Sequence, residues 1–301
     1  MGFLNFKIML QLRKATRQKA KIRLGLSSVS GGGKTYSSIL IAKGLANGDM
    51  SKIALIDTEN GSGDLYANLG DYNVITLEAP YTPERYIEAI TACESAGMEV
   101  IIIDSITHEW DGKGGILEIS NSMTGNSYTN WAKLTPRHQS FIDKILQCKA
   151  HVITTVRRKQ DYEMTTNSQG KLVPQKVGLK EVTREGFEYE LTVNLELDTN
   201  HNATTSKDRT GLFVGKPDFK PSEETGKLLL DWCENGIAPI NYDLPKSDAP
   251  AKLNEKQMAK LLESDLDNVN KYVDLIAEGK VSITQEQEAQ INIYLETLKT
   301  K

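Results

Sequence analysis

The sequence predicts an α/β fold in which a mostly parallel sheet is flanked by helices, with a small helical appendage toward its C-terminal end. Three observations carry the prediction. Residues 24–35 read Leu-Gly-Leu-Ser-Ser-Val-Ser-Gly-Gly-Gly-Lys-Thr and run directly into the helix-like Tyr-Ser-Ser-Ile-Leu-Ile-Ala, a strand, a glycine turn and a helix. Short apolar runs then alternate with helical segments, the pattern of parallel strands joined by crossover helices. One of these runs, Val-Ile-Ile-Ile at 100–103, is branched throughout and ends on Asp104, as a central strand buried on both faces would.

Composition sets the scale. The chain has 301 residues, 39% apolar and 25% charged, with a formal net charge of −4 at pH 7. That supports one large core and a small appendage, and a soluble protein. Cys93, Cys148 and Cys233 are far apart and in no metal-binding spacing, which excludes a disulfide framework or zinc site as the organising feature and suits a reducing cytoplasm. No apolar run approaches a membrane span, and Phe6 occupies the position that an N-myristoylation signal reserves for Ser or Thr.

Taken in order, residues 1–20 form a basic arm. The first 48 residues hold nine basic side chains, among them Lys7, Arg13, Lys14, Arg17, Lys19, Lys21 and Arg23, and no acidic one. Such an arm contacts phosphates, docks on an acidic neighbouring subunit, or is simply solvated. Residues 21–236 are the core. In it Ser30, Gly31, Gly32 and Gly33 can turn consecutive N–H groups toward an anion, Lys34 can reach the outer phosphates of a nucleotide, and the Thr35 hydroxyl can ligate Mg²⁺. Tyr36 opens the helix that follows. Ser28 stands where this pattern ordinarily begins with a glycine.

The segment at 52–59 reads as a second buried strand ending in Asp57-Thr-Glu59, and 73–77, 82–96 and 99–104 give strand, helix and strand. Asp104, seventy residues after the Gly-Lys-Thr, is placed to hold Mg²⁺ through water. The next position is Ser105 rather than a glutamate, so the water-activating carboxylate must come from elsewhere: Glu59 at the neighbouring strand end, or Glu109 as its competitor.

On these residues the chain resembles the RecA-like recombination ATPases, and more closely the compact RecA-core P-loop ATPases of bacteriophages, which include single-strand annealing proteins. The phosphate loop, Ile56-Asp-Thr-Glu59, Ile103-Asp-Ser105 and Ile153-Thr-Thr-Val-Arg-Arg-Lys159 carry the resemblance over roughly residues 15–235. It implies ATP and Mg²⁺ as ligands, Lys34, Glu59 and Asp104 as catalytic, and Thr155 in the position of the family's γ-phosphate sensor. It implies Tyr66 as an adenine-stacking ring, with Asp64 one residue off an adenine contact. Lys207 and Arg209 would reach the phosphates of a neighbouring subunit, which implies a homo-oligomer.

Two polar stretches complete the core. Residues 111–136, with Tyr128 and Trp131, read as a lid or stacking platform. Residues 157–180 hold Arg157, Arg158, Lys159, Lys171, Lys176 and Lys180 around Tyr162, and read either as a loop for single-stranded DNA or as a solvated loop. Residues 188–198 and 211–214 read as strands and 222–234 as a closing helix opened by a capping box. Residues 237–253, with Pro239, Pro245 and Pro250, are a linker, and 254–301 a helical tail with Met258, Leu261, Leu262, Ile291, Tyr294, Leu295 and Leu298 at helical spacing.

The sequence thus predicts a Mg²⁺-dependent ATPase working with single-stranded DNA in recombination or annealing. An ATP-dependent switch, loader or packaging protein without DNA contact is the alternative. No guanine-recognition signature is present.

Overall fold

A computed structural model describes residues 14–166, 171–237, 251–252, 258–259, 261–264, 266–277 and 281–299. The chain divides into two compact units, Met1–Pro239 and Ile240–Lys301.

The first unit is built on an eight-stranded sheet. Its strands are β1 (Arg23–Ser28), β2 (Ile53–Asp57), β3 (Asn73–Thr76), β4 (Val100–Asp104), β5 (His151–Thr166), β6 (Leu172–Glu181), β7 (Val193–Leu197) and β8 (Ala203–Asp208). The order is β3-β2-β4-β5-β1-β7-β8, with β6 pairing off the path onto β5. Every pair from β3 to β7 is parallel, and only β7–β8 and β5–β6 are antiparallel. The helices are α1 (Lys34–Leu45), α2 (Pro83–Ser95), α3 (Thr107–Asp111), α4 (Ile116–Ser122), α5 (Ser127–Gln147), α6 (Phe187–Glu190) and α7 (Glu223–Glu234).

Side-chain alternation along the strands divides the core into two layers. In β4, Val100 and Ile102 join a cluster with Ile39, Ile41 and Leu45 of α1 and Leu229 and Cys233 of α7. Ile101 and Ile103 join the opposite cluster, with Tyr86 and Ile90 of α2 and Phe141, Ile142 and Ile145 of α5. Each fully buried aliphatic side chain contributes about 1.5–3 kcal/mol relative to exposure. On the first face α1 and α7 cross at Gly44 and Gly226, where a Cβ on Gly44 would lie 2.1 Å from the Glu223 carbonyl.

Four expectations are corrected here. Residues 157–166 and 172–180 are strand and not loop: β5 continues past the parallel sheet and pairs antiparallel with β6, Arg158 opposite Glu181 and Thr166 opposite Leu172. Residues 111–136 hold α4 and the first half of α5, whose cap is the Asn126 side chain accepting from Tyr128 N–H at 2.8 Å. Residues 188–198 divide into α6 and β7. Residues 211–214 are not a strand, because the Asp208 carboxylate gathers the amides of Thr210, Gly211 and Phe213 at 2.7–3.1 Å and bends the chain into a turn. The outer strand is instead Ala203–Asp208.

The basic arm is described from residue 14. Arg17 donates to the carbonyls of Asn235 (2.9 Å) and Trp232 (2.7 Å) and stacks over the Trp232 ring, and Lys19 pairs with Glu234. Arg23 is buried and serves carbonyls that end α5, among them Leu146 (3.0 Å) and Ala150 (2.9 Å), with Cys148 between them. These cations cap helix ends. Residues 1–13 and 238–250, which hold the rest of the arm and most of the predicted linker, lie outside the described residues.

The second unit contains helices Leu266–Ala277 and Gln285–Lys299 and a two-stranded parallel pair, Ala251–Lys252 with Val281–Ser282. Met258, Leu261, Val269 and Ile291 are its buried centre, with Leu262, Tyr294, Leu295 and Leu298 packed around them. No described helix is long and apolar enough to cross a membrane.

Candidate active site

Parallel strands with crossover helices leave a crevice at their carboxyl ends, where the turns after β1 and β2 meet Arg157 of β5. The crevice holds a pocket of about 510 Å³ lined by Ser30, Gly31, Gly33, Lys34, Thr35, Tyr36, Ser37, Glu59, Tyr66, Arg157, His201, Lys220 and Pro221.

The turn after β1 is a cradle. Gly31 and Gly33 adopt φ of 79° and 82°, open only to glycine at low cost, and Gly33 is the N-cap of α1. Ser28 is buried and its hydroxyl donates to the Leu197 carbonyl of β7 at 2.8 Å. A Cβ on Gly32 would lie 1.8 Å from that hydroxyl oxygen, so Ser28 fills the space that the missing side chain leaves. Its departure from the usual glycine ties the loop to the next strand.

Lys34 is buried and its ammonium donates to the loop's own carbonyls, Val29 at 3.0 Å and Ser28 at 3.3 Å. Burial draws its pKa below the ordinary lysine range, against the pull of Asp104 and Glu59. Asp104 ends β4 fully enclosed. One oxygen accepts from Thr35 and the other from Thr155, each at 2.5 Å, while burial pushes the carboxyl up. A hydroxyl and a carboxylate joined in this way are the donor set a hard cation such as Mg²⁺ prefers. Among the described residues no group of three or more His, Cys, Asp or Glu gathers as a metal cluster.

Glu59 reaches the pocket because Asp57 shapes the turn after β2. Asp57 accepts from the Glu59 amide at 2.6 Å and the Gly63 amide at 3.0 Å, folding the segment back. Both carboxylate oxygens of Glu59 are engaged by Arg157, Nε to Oε1 at 2.8 Å and Nη2 to Oε2 at 2.7 Å. Burial works to raise the Glu59 carboxyl, but the hydrogen bonds and charge of Arg157 outweigh it and hold the carboxyl below its ordinary value. The Ser105 hydroxyl is buried and also helps to depress it, yet lies outside hydrogen-bond geometry with any partner among the described residues.

Glu109 is elsewhere. It is buried against His138, whose Nδ1 is 3.0 Å from each of its oxygens, and burial raises its carboxyl. It does not line the pocket, so of the two candidate glutamates only Glu59 faces the phosphate loop. His138 is thereby a core residue, and His151 another: its Nδ1 accepts from the Ile22 amide at 3.1 Å, and burial lowers its pKa to about 3.

Tyr66 and Tyr36 meet edge to face with centroids 5.8 Å apart at one end of the pocket. Asp64 is exposed and does not line it. Lys207 and Arg209 are also outside it. Lys207 donates to the carbonyls of Glu188 (2.9 Å) and Tyr189, and Arg209 to Tyr189 (2.9 Å), on the far side of β7.

The basic residues assigned to one loop separate by function of place. Arg157 belongs to the pocket, correcting its grouping with an external surface. Arg158 turns the other way, to Glu196 at 2.6 Å and the Leu179 carbonyl at 2.9 Å. Lys159 is exposed and 3.7 Å from Asp111. Lys171 and Lys176 are exposed on the hairpin, where Tyr162 stands opposite Lys176. Trp131 packs on Trp110 with centroids 5.8 Å apart, and Tyr128 is 82% exposed at the start of α5.

Sequence reasoning missed His201, Lys220 and Pro221, which come from the turn after β7 and the approach to α7. His201 has φ of 66° and its ring lies over Gly33, 2.7 Å from where a Cβ there would be. No local pattern marks it. A family model described as an AAA domain matches residues 20–223 of the chain. No curated protein matches it.

Proposed function

The chain belongs to this AAA-domain family of P-loop ATPases, and from that premise we propose that it hydrolyses ATP with Mg²⁺, acts with single-stranded DNA in recombination or annealing of the bacteriophage RecA-core kind, and works as a homo-oligomer. One observation carries the catalytic reading: Lys34, Thr35 and Glu59 open on the same pocket, with Asp104 bonded behind Thr35.

The residues divide the work. The Lys34 ammonium exchanges its loop carbonyls for phosphate oxygens, and the amides of the glycine turn and the start of α1 add their dipoles. Thr35 and, through water, Asp104 would hold Mg²⁺, which when bound neutralises charge on the phosphates. Glu59 accepts a hydrogen bond from water and orients it toward the γ-phosphorus, so that the new P–O bond forms as the bond to the departing diphosphate breaks. Tyr66 offers its face to the base.

The DNA reading draws support from the hairpin. It extends beyond the sheet from the strand that bears Arg157 and presents Lys159, Lys171 and Lys176, cations that suit a phosphate backbone without reading sequence. The oligomer reading draws support from Lys207 and Arg209: they are remote from this chain's pocket, so any nucleotide they touch is a neighbour's.

Turnover of ATP by the wild type and Lys34→Ala, with and without single-stranded DNA over a salt series, tests the proposal. Loss of turnover by about a hundredfold or more in Lys34→Ala and stimulation by DNA are expected. Full activity in Lys34→Ala would overturn the catalytic assignment, and absence of any DNA binding or stimulation would leave the nucleotide switch.

A further inference from the structure

Before any nucleotide enters, Glu59 is paired with Arg157 and is a weakened base for the water it would orient. Its Oε1 accepts from Arg157 Nε at 2.8 Å and its Oε2 lies 2.7 Å from Nη2, and a carboxylate held in such an ion pair keeps lone pairs free but loses basicity. Removing Arg157 would restore that basicity.

The surroundings say what can move. The Glu59 backbone is pinned by Asp57 at 2.6 Å, and the Arg157 amide by the Thr107 hydroxyl at 2.9 Å, so the two main chains are fixed and only the side chains can part. The Arg157 side chain is 41% exposed and lines the phosphate pocket with Lys34 and Thr35. A terminal phosphate is the stronger competitor for a guanidinium fork, with more charge than a carboxylate and three oxygens. A diphosphate ends one group short of it.

We propose that Arg157 is a positioning residue that holds Glu59 inactive until a triphosphate enters, and then exchanges the carboxylate for the γ-phosphate, freeing Glu59 for water. The assignment rests on the ATP-site reading above. It makes occupancy of the third phosphate position the signal that arms the base, and it places the exchange at the junction where β5 leaves the sheet for the hairpin. Hydrolysis then returns Arg157 to Glu59, because the remaining diphosphate no longer holds it.

Glu59→Gln separates this from a merely structural ion pair. The amide has no charge and a single acceptor oxygen, so it releases Arg157 to the phosphate in advance. Affinities for a non-hydrolysable triphosphate analogue and for ADP, both with Mg²⁺, are measured by titration calorimetry on the wild type, Glu59→Gln, Arg157→Ala and the double variant. Glu59→Gln is expected to bind the analogue about tenfold more tightly with ADP affinity changed less than about twofold, and the gain to vanish when Arg157→Ala is added. Arg157→Lys keeps the charge without the fork, and should hold the gain to about threefold; it serves where Arg157→Ala does not fold. Equal gains for both nucleotides, no gain, or a gain that survives the loss of Arg157 would overturn the exchange. A wild type that binds neither nucleotide would overturn the ATP-site reading as well.

Discussion

The two halves of β5 are one continuous strand under opposite conditions. Residues 151–157 run inside the parallel sheet, 151–154 paired with β4 and 152–157 with β1, and from His151 to Val156 every side chain is buried. Residues 158–166 pair only with β6, and their described side chains are partly or fully exposed. Inside the sheet the strand delivers Thr155 to Asp104 and Arg157 to Glu59 with fixed geometry. Beyond it the same backbone carries lysines into solvent. The difference teaches that packing against the parallel core fixes the side chains at the pocket, and that an antiparallel extension beyond that core makes a surface.

The rigid side of this comparison breaks hardest at the phosphate loop. Gly32→Ala drives a Cβ to 1.8 Å from the Ser28 hydroxyl, and is expected to lose about 3 kcal/mol or to displace the loop, seen as a lower Tm and weakened nucleotide binding. Ser28→Gly alone costs about 1 kcal/mol for its bond to Leu197. Combined, the two should cost less than Gly32→Ala alone, because the obstructing atoms are gone. Additive losses would show that the Ser28 side chain does not shape the loop.

A smaller effect marks the start of the strand. His151 has its folded pKa depressed to about 3 by burial, so the unfolded chain binds the extra proton first. Its contribution is complete above an unfolded pKa of about 6.5 and is lost as pH falls, by about 1.4 kcal/mol per unit until the folded group titrates. His151→Asn keeps an acceptor for the Ile22 amide and removes the titration. Denaturant melts from pH 7 to 4 should be flatter in that variant than in the wild type, and parallel curves would refute the assignment.

The exposed half gives the least. Lys159→Ala with Lys176→Ala should weaken single-stranded DNA binding several-fold and reduce the slope of log K against log salt by about 0.7 for each phosphate that is no longer neutralised. An unchanged slope would mean that the hairpin lysines do not meet the nucleic acid.

Legibility in the sequence followed the same divide. Strands β1, β2 and β4 are short apolar runs whose burial nothing else explains, and the glycine turn and Asp104 come at their ends where chemistry requires them. The hairpin strands and β8 (Ala-Thr-Thr-Ser-Lys-Asp) lack apolar runs, because one face meets water, so they read as loop. Gly-Leu-Phe-Val at 211–214 misled in the opposite sense: Phe213 is buried by stacking on Phe219 with centroids 5.2 Å apart, and its backbone turns on Asp208. Helix α5 was hidden by its Ser, Asn and Pro136. At the site, Lys34, Thr35 and Asp104 are readable because their spacing is local to one strand-turn-helix or one strand end. Arg157 was visible only as part of a basic cluster, since its partner Glu59 is 98 residues away. His201 depends on a turn after β7 that brings its ring over a glycine from β1's turn, a contact with no local trace.

The placement of β1 has a consequence for assembly. The strand is near the start of the described chain, yet its neighbours are β5 and β7, whose first residues are His151 and Val193. Strands β2, β3 and β4 can pair among themselves as soon as residue 104 is available, whereas β1 must close a loop of more than a hundred residues before it finds a partner. Until then its apolar edge is open, a liability for any chain halted midway through synthesis. The glycine turn hangs from this strand, so it is among the last parts of the sheet to be put together.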